Sequence, residues 1–251
     1  MRTALHARGM GTALHAEWTK LRTAPGTWWL LLGAVAATAG LSALAAAAVR
    51  CGTDCEADLT KVSLTGVQLG QAVVAILAAL VIGNEYSTGM VRVSLAAVPR
   101  RTRMLAAKAV VVVAVTGAAA AAGVAGSLLA GRLLLPDHAF TWRPAVGSVA
   151  YLVLVGLLSL GLATAARSPA AAVGIVLGLL YAWPIVARVV TDPAWSRRLQ
   201  QAGPMNAGTA VQATRDLASL PISPWAGLGV LGLWALGAML AGWLLLVRRD
   251  A

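Results

Sequence analysis

Six long apolar stretches limit what this sequence can fold into. They cover residues 28–49, 64–83, 109–131, 145–166, 170–190 and 225–247. An α-helix needs about 20 apolar residues to cross the hydrocarbon core of a bilayer, and each stretch meets that length. Only 12% of the residues are charged, whereas about a quarter are charged in soluble domains. The sequence therefore predicts an all-α membrane protein with six transmembrane helices, in which residues 28–251 form one transmembrane domain and no soluble domain is hidden.

The net charge of +11 is distributed unevenly over the segments that separate these stretches. With both termini placed in the cytoplasm, twelve of the 20 Lys and Arg residues fall on the inner side, and six of the nine acids fall outside. The Lys and Arg bias of short loops sets orientation, so we expect both termini to be cytoplasmic. The basic residues then set the orientation of the chain in the membrane and attract anionic lipid headgroups. No basic face is interleaved with aromatic residues for base stacking, so no nucleic-acid partner is expected.

The N-terminal segment, residues 1–27, has the pattern of an interfacial helix. Its apolar residues recur at spacings of four and three and form one stripe: Leu14, Trp18 and Leu21. Glu17 and Lys20 lie on the opposite side of that helix. A helix with this pattern can lie in the plane of the lipid headgroups, and Trp18 favours that position over a solvated tail.

A polar and basic hinge, residues 82–108, connects the second and third stretches. It contains a single acid, Glu85, and five bases: Arg92, Arg100, Arg101, Arg103 and Lys108. Spacings of three and four place Glu85, Thr88 and Arg92 on one helical face. Pro99 ends that helix because it lacks an amide hydrogen and clashes with the preceding turn. The hinge therefore predicts a short amphipathic helix on the cytoplasmic membrane surface, followed by a basic turn.

Two pairs of residues in and before the second stretch have more than one interpretation. Cys51 and Cys55 are candidates for a disulfide in an oxidising exterior, since two thiols alone fall short of the four ligands of a structural zinc site. Gln68 and Gln71 lie about one helical turn apart. The favoured interpretation is a hydrogen bond between helices, and the alternative is a polar patch on a translocation path.

Small residues and prolines mark the later stretches. Gly123 and Gly126 predict a close-packing face, Gly174 and Gly178 form a second pair of small residues, and Pro184 predicts a kink. Residues 191–224 form a long outer segment between the fifth and sixth stretches. Because a loop of this length without secondary structure is uncommon, we expect one or two short helices on, or dipping into, the outer leaflet.

Several kinds of chemistry are absent from the sequence. None of the three lysines, Lys20, Lys61 and Lys108, belongs to a GxxxxGK[ST] phosphate-binding loop, so the chain is not expected to bind ATP by that motif. There is no HExxH or GxSxG motif, and we predict no catalytic residue, metal or cofactor in this chain. Every acid lies outside the six stretches, whereas ion-coupled carriers hold ionisable groups at mid-membrane. Energy for any transport would then come from a partner.

Three segments resemble bacterial ABC-2 type permeases. Residues 17–23 (EWTKLRT) resemble the segment before their first span, and residues 84–92 (NEYSTGMVR), followed by a Pro-Arg-Arg at 99–101, resemble their cytoplasmic segment between spans two and three. The ending LVRRDA is also similar. The one departure is Met90, where Thr is common. The resemblance extends over the full length, including the six spans and the long last outer segment.

This resemblance implies a transmembrane subunit of an ABC exporter, which works with a cytoplasmic ATPase subunit that binds ATP and Mg, and with a second permease subunit, identical or paralogous. It further implies that residues 84–98 are a coupling helix seated on the ATPase, and that residues 10–24 are the interfacial helix beside it. The implied coupling residues are Glu85, Tyr86, Thr88, Gly89, Arg92, Arg100 and Arg101, and those of the interfacial helix are Glu17, Trp18, Lys20 and Leu21.

The expected function is export of a hydrophobic or amphiphilic compound (drug, peptide antibiotic or lipid) across a bacterial plasma membrane, as in multidrug resistance. Glu85 and Arg92 would contact the ATPase or orient the hinge; the alternative is a solvated face with weak surface ion pairs. On the first interpretation Glu85→Arg should leave insertion intact and uncouple ATP hydrolysis from transport. A stand-alone secondary carrier and a non-transporting scaffold or sensor are the alternative functions.

Overall fold

The computed structural model describes residues 2–49, 58–90, 101–135 and 141–248. Its longer helices are α1 (Arg2–Thr23), α2 (Pro25–Ala48), α4 (Val67–Ser87), α5 (Arg101–Leu134), α6 (Trp142–Ala166) and α11 (Pro224–Arg248). Its shorter helices are α3 (Leu59–Ser63), α7 (Pro169–Leu177), α8 (Trp183–Val189), α9 (Pro193–Ala202) and α10 (Pro204–Thr209). The described residues contain no β-strand, and the predicted all-α fold is confirmed.

Six helical segments are long and apolar enough to cross a membrane, as the sequence predicts. The second and third run further than predicted, because α4 continues to Ser87 and α5 begins at Arg101, before residue 109. The apolar sequence pattern ends where charged side chains begin. The backbone hydrogen bonds of a helix do not depend on whether its side chains are apolar or charged, so the helix continues past the end of the apolar pattern. As a result Glu85 and Lys108 belong to spanning helices and not to the hinge between them.

Helix α6 forms the centre of the bundle and packs against α4, α5 and α11. Its inward residues Tyr151, Leu152, Val155 and Leu158 are fully or almost fully buried in the main hydrophobic core. Burial of large apolar side chains and tight van der Waals packing hold these helices together.

Small residues allow two helices to pack so closely that a larger side chain would not fit between them. A Cβ on Gly123 or Gly126 of α5 would come within 3.0 Å of the Thr38 or Ala39 Cβ of α2, so the predicted close-packing face of α5 is confirmed. The pair in the fifth span behaves differently, because nothing within the described residues lies within 4 Å of a Cβ on Gly174 or Gly178. That pair therefore does not pack against the described part of this chain.

The fifth span is interrupted where Pro184 was expected to kink it. A π-helical turn, Gly178–Ala182, separates α7 from α8, and Pro184 is the second residue of α8. Proline has no amide hydrogen, and its ring crowds the carbonyl four residues earlier. A wider π-helical turn is one way to accommodate that break.

The outer segment forms the short helices that its length predicts. After α9 and α10 come two 3₁₀ turns, Ala210–Gln212 and Leu217–Ser219. Ala207, Val211 and Gln212 are buried, so α10 and the first 3₁₀ turn are wedged between the helices, whereas α9 has no buried residue. Gln212 donates from Nε2 to Ser148 Oγ of α6 at 3.1 Å.

Contacts define the two ends of the bundle. Arg101 at the start of α5 donates from Nη1 to the Leu246 carbonyl near the end of α11 at 2.6 Å. The Arg167 guanidinium after α6 lies 5.8 Å from the centre of the Tyr86 ring near the end of α4. We call this the α1 end, because α1 also packs there, and the opposite one the Asp58 end. That the α1 end faces the cytoplasm stays a prediction.

Candidate functional site

Four charged side chains from three helices meet at the α1 end. Glu17 and Lys20 come from α1, Glu85 from α4 and Lys108 from α5. Lys108 Nζ lies 2.6 Å from Glu17 Oε2 and 2.8 Å from Glu85 Oε1. Lys20 Nζ lies 3.1 Å from Glu17 Oε1 and 2.8 Å from the same Glu85 oxygen. These four residues are named the charged cluster below.

Helix geometry explains how the cluster forms. Glu17 and Lys20 are three residues apart on α1 and therefore share a face. Glu85 lies in the last turn of α4, and Lys108 lies about two turns after the start of α5. The cluster therefore joins the helix that precedes residues 88–100 to the helix that follows them.

The cluster is buried, although it consists of charges. Glu17, Glu85 and Lys108 are only 7%, 6% and 1% exposed. A buried charge is tolerated when an opposite charge and hydrogen bonds compensate its lost hydration. Two acids and two lysines balance here, and each lysine contacts both acids. Removing any one of them would leave a net charge in a buried place.

Lys20 is the member closest to solvent, with 36% of its side chain exposed. Burial lowers the pKa of Lys20, but the hydrogen bond to Glu85 and the negative charges of Glu17 and Glu85 outweigh burial and raise the pKa above its ordinary value. Lys20 therefore stays an ammonium at physiological pH, and the charge balance of the cluster holds.

The structure describes five of the seven predicted coupling residues, and Glu85 is a member of the cluster itself. Glu85 and Tyr86 belong to the last turn of α4, and Thr88 follows it with Oγ1 donating to the Asn84 carbonyl at 2.6 Å. Gly89 has a φ of 70°, in the left-handed region that favours glycine. Arg101 opens α5 and contacts α11. Arg92 and Arg100 lie outside the described residues.

The position of Gly89 corrects the predicted start of the coupling helix. Residues 84–87 are the end of α4 itself, and a left-handed glycine cannot continue an α-helix, so no single helix runs through 84–98. The helix that carries Glu85 therefore ends before Gly89. The later part of that segment lies outside the described residues.

Helix α1 turns its charged face towards the bundle. Glu17 is buried beneath it, whereas Trp18 is 48% exposed, so the apolar stripe of α1 is the outward one. Trp18 and Leu21 line an apolar groove of about 370 Å³ together with Trp28 and Val115. An exposed tryptophan beside an apolar groove is typical of residues at the lipid interface.

Gln71 and Gln68 have different surroundings. Gln71 is fully buried, accepts a hydrogen bond from the Tyr151 hydroxyl of α6 and donates from Nε2 to Met205 Sδ at 3.4 Å. Gln68 has an exposed side chain, and its backbone carbonyl accepts from the Tyr181 hydroxyl. The contacts of Gln71 are those of the favoured interpretation, a hydrogen bond between helices. Cys51 and Cys55 lie outside the described residues.

Lys108 is the cluster residue whose role the sequence did not reveal. The sequence placed it among the basic residues of the hinge, yet it is the most buried charge at the α1 end. Its signal is that a lysine stands directly before 23 apolar residues, 109–131, and continues the same helix. A lysine at such a place either extends to the interface or pairs with an acid on a neighbouring helix.

A cavity of about 410 Å³ opens beside the charged cluster between α1, α2 and α4. Glu17, Lys20 and Glu85 form part of its wall. The fold and this site define a class: a polytopic helical membrane protein whose interfacial helix is tied by buried ion pairs to two spanning helices.

Comparison with protein families identifies the family within that class. Residues 13–190, more than half of the chain, match the model of the ABC-2 family transporter proteins. The chain belongs to the ABC-2 family. Members of this family are membrane subunits that are not themselves catalytic, and membership implies an ATPase partner. A comparison with curated proteins gives no match.

Proposed function

We propose that this chain is the permease subunit of an ATP-binding-cassette exporter in a bacterial plasma membrane. It moves a hydrophobic or amphiphilic compound, such as a drug, a peptide antibiotic or a lipid, out of the cell. A separate cytoplasmic subunit binds ATP and Mg and hydrolyses the ATP, and a second permease subunit completes the path. Both termini are cytoplasmic in this proposal, so the α1 end faces the ATPase.

The charged cluster is the observation that carries the proposal. It joins α1 to α4 and α5, the two spans on either side of residues 88–100, through four ion pairs. An ATPase that pushes on α1 or on that segment would therefore move both spans together. Because the cluster is buried, water and salt weaken the attraction between its charges much less than at the surface. The attraction between the helices can therefore persist while they move.

Two further contacts support transmission to the rest of the bundle. Arg101 links the start of α5 to the end of α11, and Arg167 lies over the Tyr86 ring of α4. The sixth span and the end of the fourth span therefore also touch the helix ends that carry the cluster. In this proposal Glu85 orients the hinge, which is one of the two roles that the family resemblance implies for it.

A stand-alone secondary carrier is the second candidate, and one observation favours it. Glu85 is a buried acid in a spanning helix, and such a group can hold a coupling proton. However, Glu85 lies in the last turn of α4 and already accepts from two ammonium groups, which stabilises its charged form. We therefore assign it to helix coupling. In the alternative of a scaffold or sensor, the same cluster would join the helices but the protein would transport no compound.

The deciding experiment is gentle detergent purification of the tagged chain from its native membranes, with identification of the proteins that accompany it and an ATP hydrolysis assay. We expect a stoichiometric ATPase whose activity responds to transported compounds. A preparation without ATPase that is active in vesicles under an ion gradient would show that the chain is a carrier. An associated ATPase with no response to compounds would indicate a scaffold or sensor.

The burial of Glu85 changes which variant is informative. Glu85→Arg would place three cations together with one acid in a buried cluster, so loss of folding would hide any uncoupling. Glu85→Gln keeps the shape and removes only the charge, and we expect it to reach the membrane while ATP hydrolysis no longer responds to transported compounds. Asp192→Asn at the Asp58 end is the matched control, since asparagine also caps the start of α9.

A further inference from the structure

Helix α9 folds back along the fifth span and leaves one face open to the surroundings. The fifth span begins with Pro169, which lies against α4 at the α1 end, so α8 is the part of the span nearer the Asp58 end. Ser196 Oγ of α9 donates to the Ala187 carbonyl of α8 at 2.8 Å. Trp183 Nε1 of α8 donates to the Leu199 carbonyl of α9 at 2.8 Å. The two helices are therefore antiparallel, and α9 runs from the Asp58 end back beside α8 with no residue of its own buried.

Arg198 of α9 is an exposed cation without an anionic partner. Its guanidinium lies 5.4 Å from the centre of the Trp195 ring, and it makes no hydrogen bond or ion pair with the part of the chain that the structure describes. An aromatic ring has no lone pair to offer, so the five N–H donors of the guanidinium remain available. Their planar arrangement matches the oxygens of a phosphate. Trp195 is itself 57% exposed, as is typical of a tryptophan at the lipid interface.

An apolar groove of about 750 Å³ lies between the fifth and sixth spans. Its walls include Ile175 of the fifth span and Leu233 of α11, and Leu158 of α6 also contributes. Every residue that lines the groove is apolar, and the one polar side-chain atom among them, Trp234 Nε1, already donates to the Ala202 carbonyl at 2.9 Å. The groove therefore suits a hydrocarbon chain and offers nothing to a polar compound.

The length of the groove matches one leaflet of a bilayer. Along α11 the lining residues extend from Val230 to Ala241, which is about 16 Å at the rise of an α-helix. One leaflet contributes about 15 Å, half of the hydrocarbon core. A single acyl chain of a lipid therefore fits the groove from the level of its headgroup to the middle of the membrane.

The exposed cation lies directly above the upper part of this groove. Ala202, the last residue of α9, lines the groove. Arg198 and Trp195 precede Ala202 by four and seven positions, so all three share one helical face. Arg198 is about one turn, roughly 5 Å, closer to the Asp58 end than Ala202 is. Side chains of a helix lean towards its N-terminus, which carries the guanidinium further from the apolar groove and towards Trp195.

We propose that this surface binds one anionic phospholipid, such as phosphatidylglycerol, from the leaflet at the Asp58 end. The phosphate lies against the Arg198 guanidinium, the glycerol backbone lies beside Trp195, and one acyl chain lies in the groove between the fifth and sixth spans. The lipid is a resident ligand, and it is not the transported compound. The proposal therefore does not depend on the proposed transport function.

The test is lipid binding to the full-length purified protein in detergent, measured by native mass spectrometry. Phosphatidylglycerol and phosphatidylcholine with the same acyl chains are compared. We expect phosphatidylglycerol to bind roughly tenfold more tightly, because the quaternary ammonium of phosphatidylcholine offsets the attraction between its phosphate and an arginine.

Two arginine variants separate a site from general attraction to a basic protein. Arg198→Gln should lower the affinity for phosphatidylglycerol roughly tenfold, to about that for phosphatidylcholine. Arg197→Gln is the matched control, because Arg197 is also exposed but precedes Ala202 by five positions and so lies on a different face of α9. It should change the affinity by no more than about twofold, since exposed charges away from the site are screened.

Two glycine variants test the position of the acyl chain. Gly237 lines the groove, and a Cβ on it would meet nothing within 4 Å, so Gly237→Leu fills the groove without a clash at the Cβ. It should weaken both lipids alike, and it keeps the test decisive where Arg198→Gln does not fold. Gly232→Leu is the matched control, because Gly232 is equally open, lies five positions earlier on α11 and does not line the groove. It should leave lipid binding unchanged.

Each contrary result overturns the proposal. Equal losses in Arg198→Gln and Arg197→Gln would mean that only the net charge of the protein attracts the anionic lipid. Unchanged lipid binding in Gly237→Leu would place the acyl chain outside the groove. Loss of a dimer in Gly237→Leu without loss of bound lipid would show that a second copy of the chain covers the groove.

Discussion

The two ends of the bundle are held together by different physical means. At the α1 end, three buried charges and the half-buried Lys20 attract one another and join three helices, with an open cavity beside them. At the Asp58 end, one carboxylate accepts from the Lys61 and Arg215 amides and, at 2.6 Å, from the Thr214 hydroxyl. Arg143 also donates from Nη2 to the Ala213 carbonyl there, and Gly208 is packed closely against the Tyr151 ring.

The comparison teaches where this protein can change shape. Ion pairs tolerate small changes of angle between helices, because Coulomb attraction falls off slowly with distance and has little directionality. Close packing of backbone against backbone does not tolerate such changes of angle, since a shift of a few tenths of an ångström creates a clash or a void. We therefore expect helix movements to begin at the α1 end, with the Asp58 end acting as the rigid part.

The largest effect is expected from breaking the charge balance with Lys108→Met. Of the two lysines in the cluster, Glu17 and Glu85 would keep only Lys20, and a buried uncompensated carboxylate costs about 3–5 kcal/mol. The free energy of unfolding in detergent, measured by denaturant titration, should fall by that amount.

The matched control for Lys108→Met is the double variant Lys108→Met/Glu17→Gln. It removes one charge of each sign and leaves the pair of Glu85 and Lys20 at 2.8 Å. We expect the double variant to be more stable than Lys108→Met alone, because neutral replacement of a whole buried pair is often tolerated. If the stability losses of the two single substitutions simply add in the double variant, Lys108 and Glu17 do not stabilise the protein through their mutual attraction. Lys108 would then contribute through packing, and the charge balance would not hold the α1 end together.

The fold could be predicted because each span is an isolated apolar run of sufficient length. Where the prediction was wrong, at the end of α4 and the start of α5, the apolar pattern stops while the helix continues. The start of the coupling helix was also misplaced, since only the backbone reveals that Gly89 is left-handed. The wedge made by α10 and the 3₁₀ turn Ala210–Gln212 depends on fits such as Gly147 against Val211, which no local pattern contains.

The candidate site was only partly predictable. Glu85 and Lys20 were named from short motifs, but their partner Lys108 is 91 positions from Glu17, and a sequence contains no information about which distant charges meet. Helical periodicity correctly separated the two faces of α1. It could not tell which face turns inward, because in a membrane the apolar face can point to lipid and the charged one to the protein.

The second effect tests the rigid end by overpacking. A Cβ added by Gly227→Ala near the start of α11 would collide with the Ala207 carbonyl of α10, and the backbone cannot yield as a flexible side chain would. We expect a loss of about 1–3 kcal/mol in the free energy of unfolding. Gly229→Ala on the same helix, where nothing lies within 4 Å, should be close to neutral. Equal costs would contradict close packing at the Asp58 end.

The third effect concerns the carboxylate of Asp58. Burial raises the pKa of Asp58, but hydrogen bonds from Thr214, Lys61 and Arg215 outweigh burial and lower the pKa below its ordinary value. A lowered pKa in the folded protein means that this stabilisation is complete above about pH 4, the ordinary pKa of an aspartate, and is lost as the pH falls through the folded value.

Asp58→Asn should therefore cost about 1 kcal/mol at neutral pH, because the half-exposed site is partly screened by solvent. It should also make thermal stability less dependent on pH below about 4 than in the unaltered protein. The measurement is melting temperature in detergent across that pH range. Unchanged acid sensitivity in Asp58→Asn would mean that other groups control unfolding of this end.

The smallest effect is expected from Tyr181→Phe in the π-helical turn. The Tyr181 hydroxyl donates to the Gln68 carbonyl of α4, and hydrogen bonds between membrane helices average only about 0.6 kcal/mol. The loss of stability in Tyr181→Phe should be of that size and no larger. The Gln68 carbonyl would not be left unsatisfied, because a backbone carbonyl within a helix keeps its hydrogen bond to an amide of the same helix. A loss of about 2 kcal/mol or more would show that this bond holds the π-helical turn in place. The fifth span, and not the wedge formed by α10 and the 3₁₀ turn Ala210–Gln212, would then be the rigid element against which the α1 end moves.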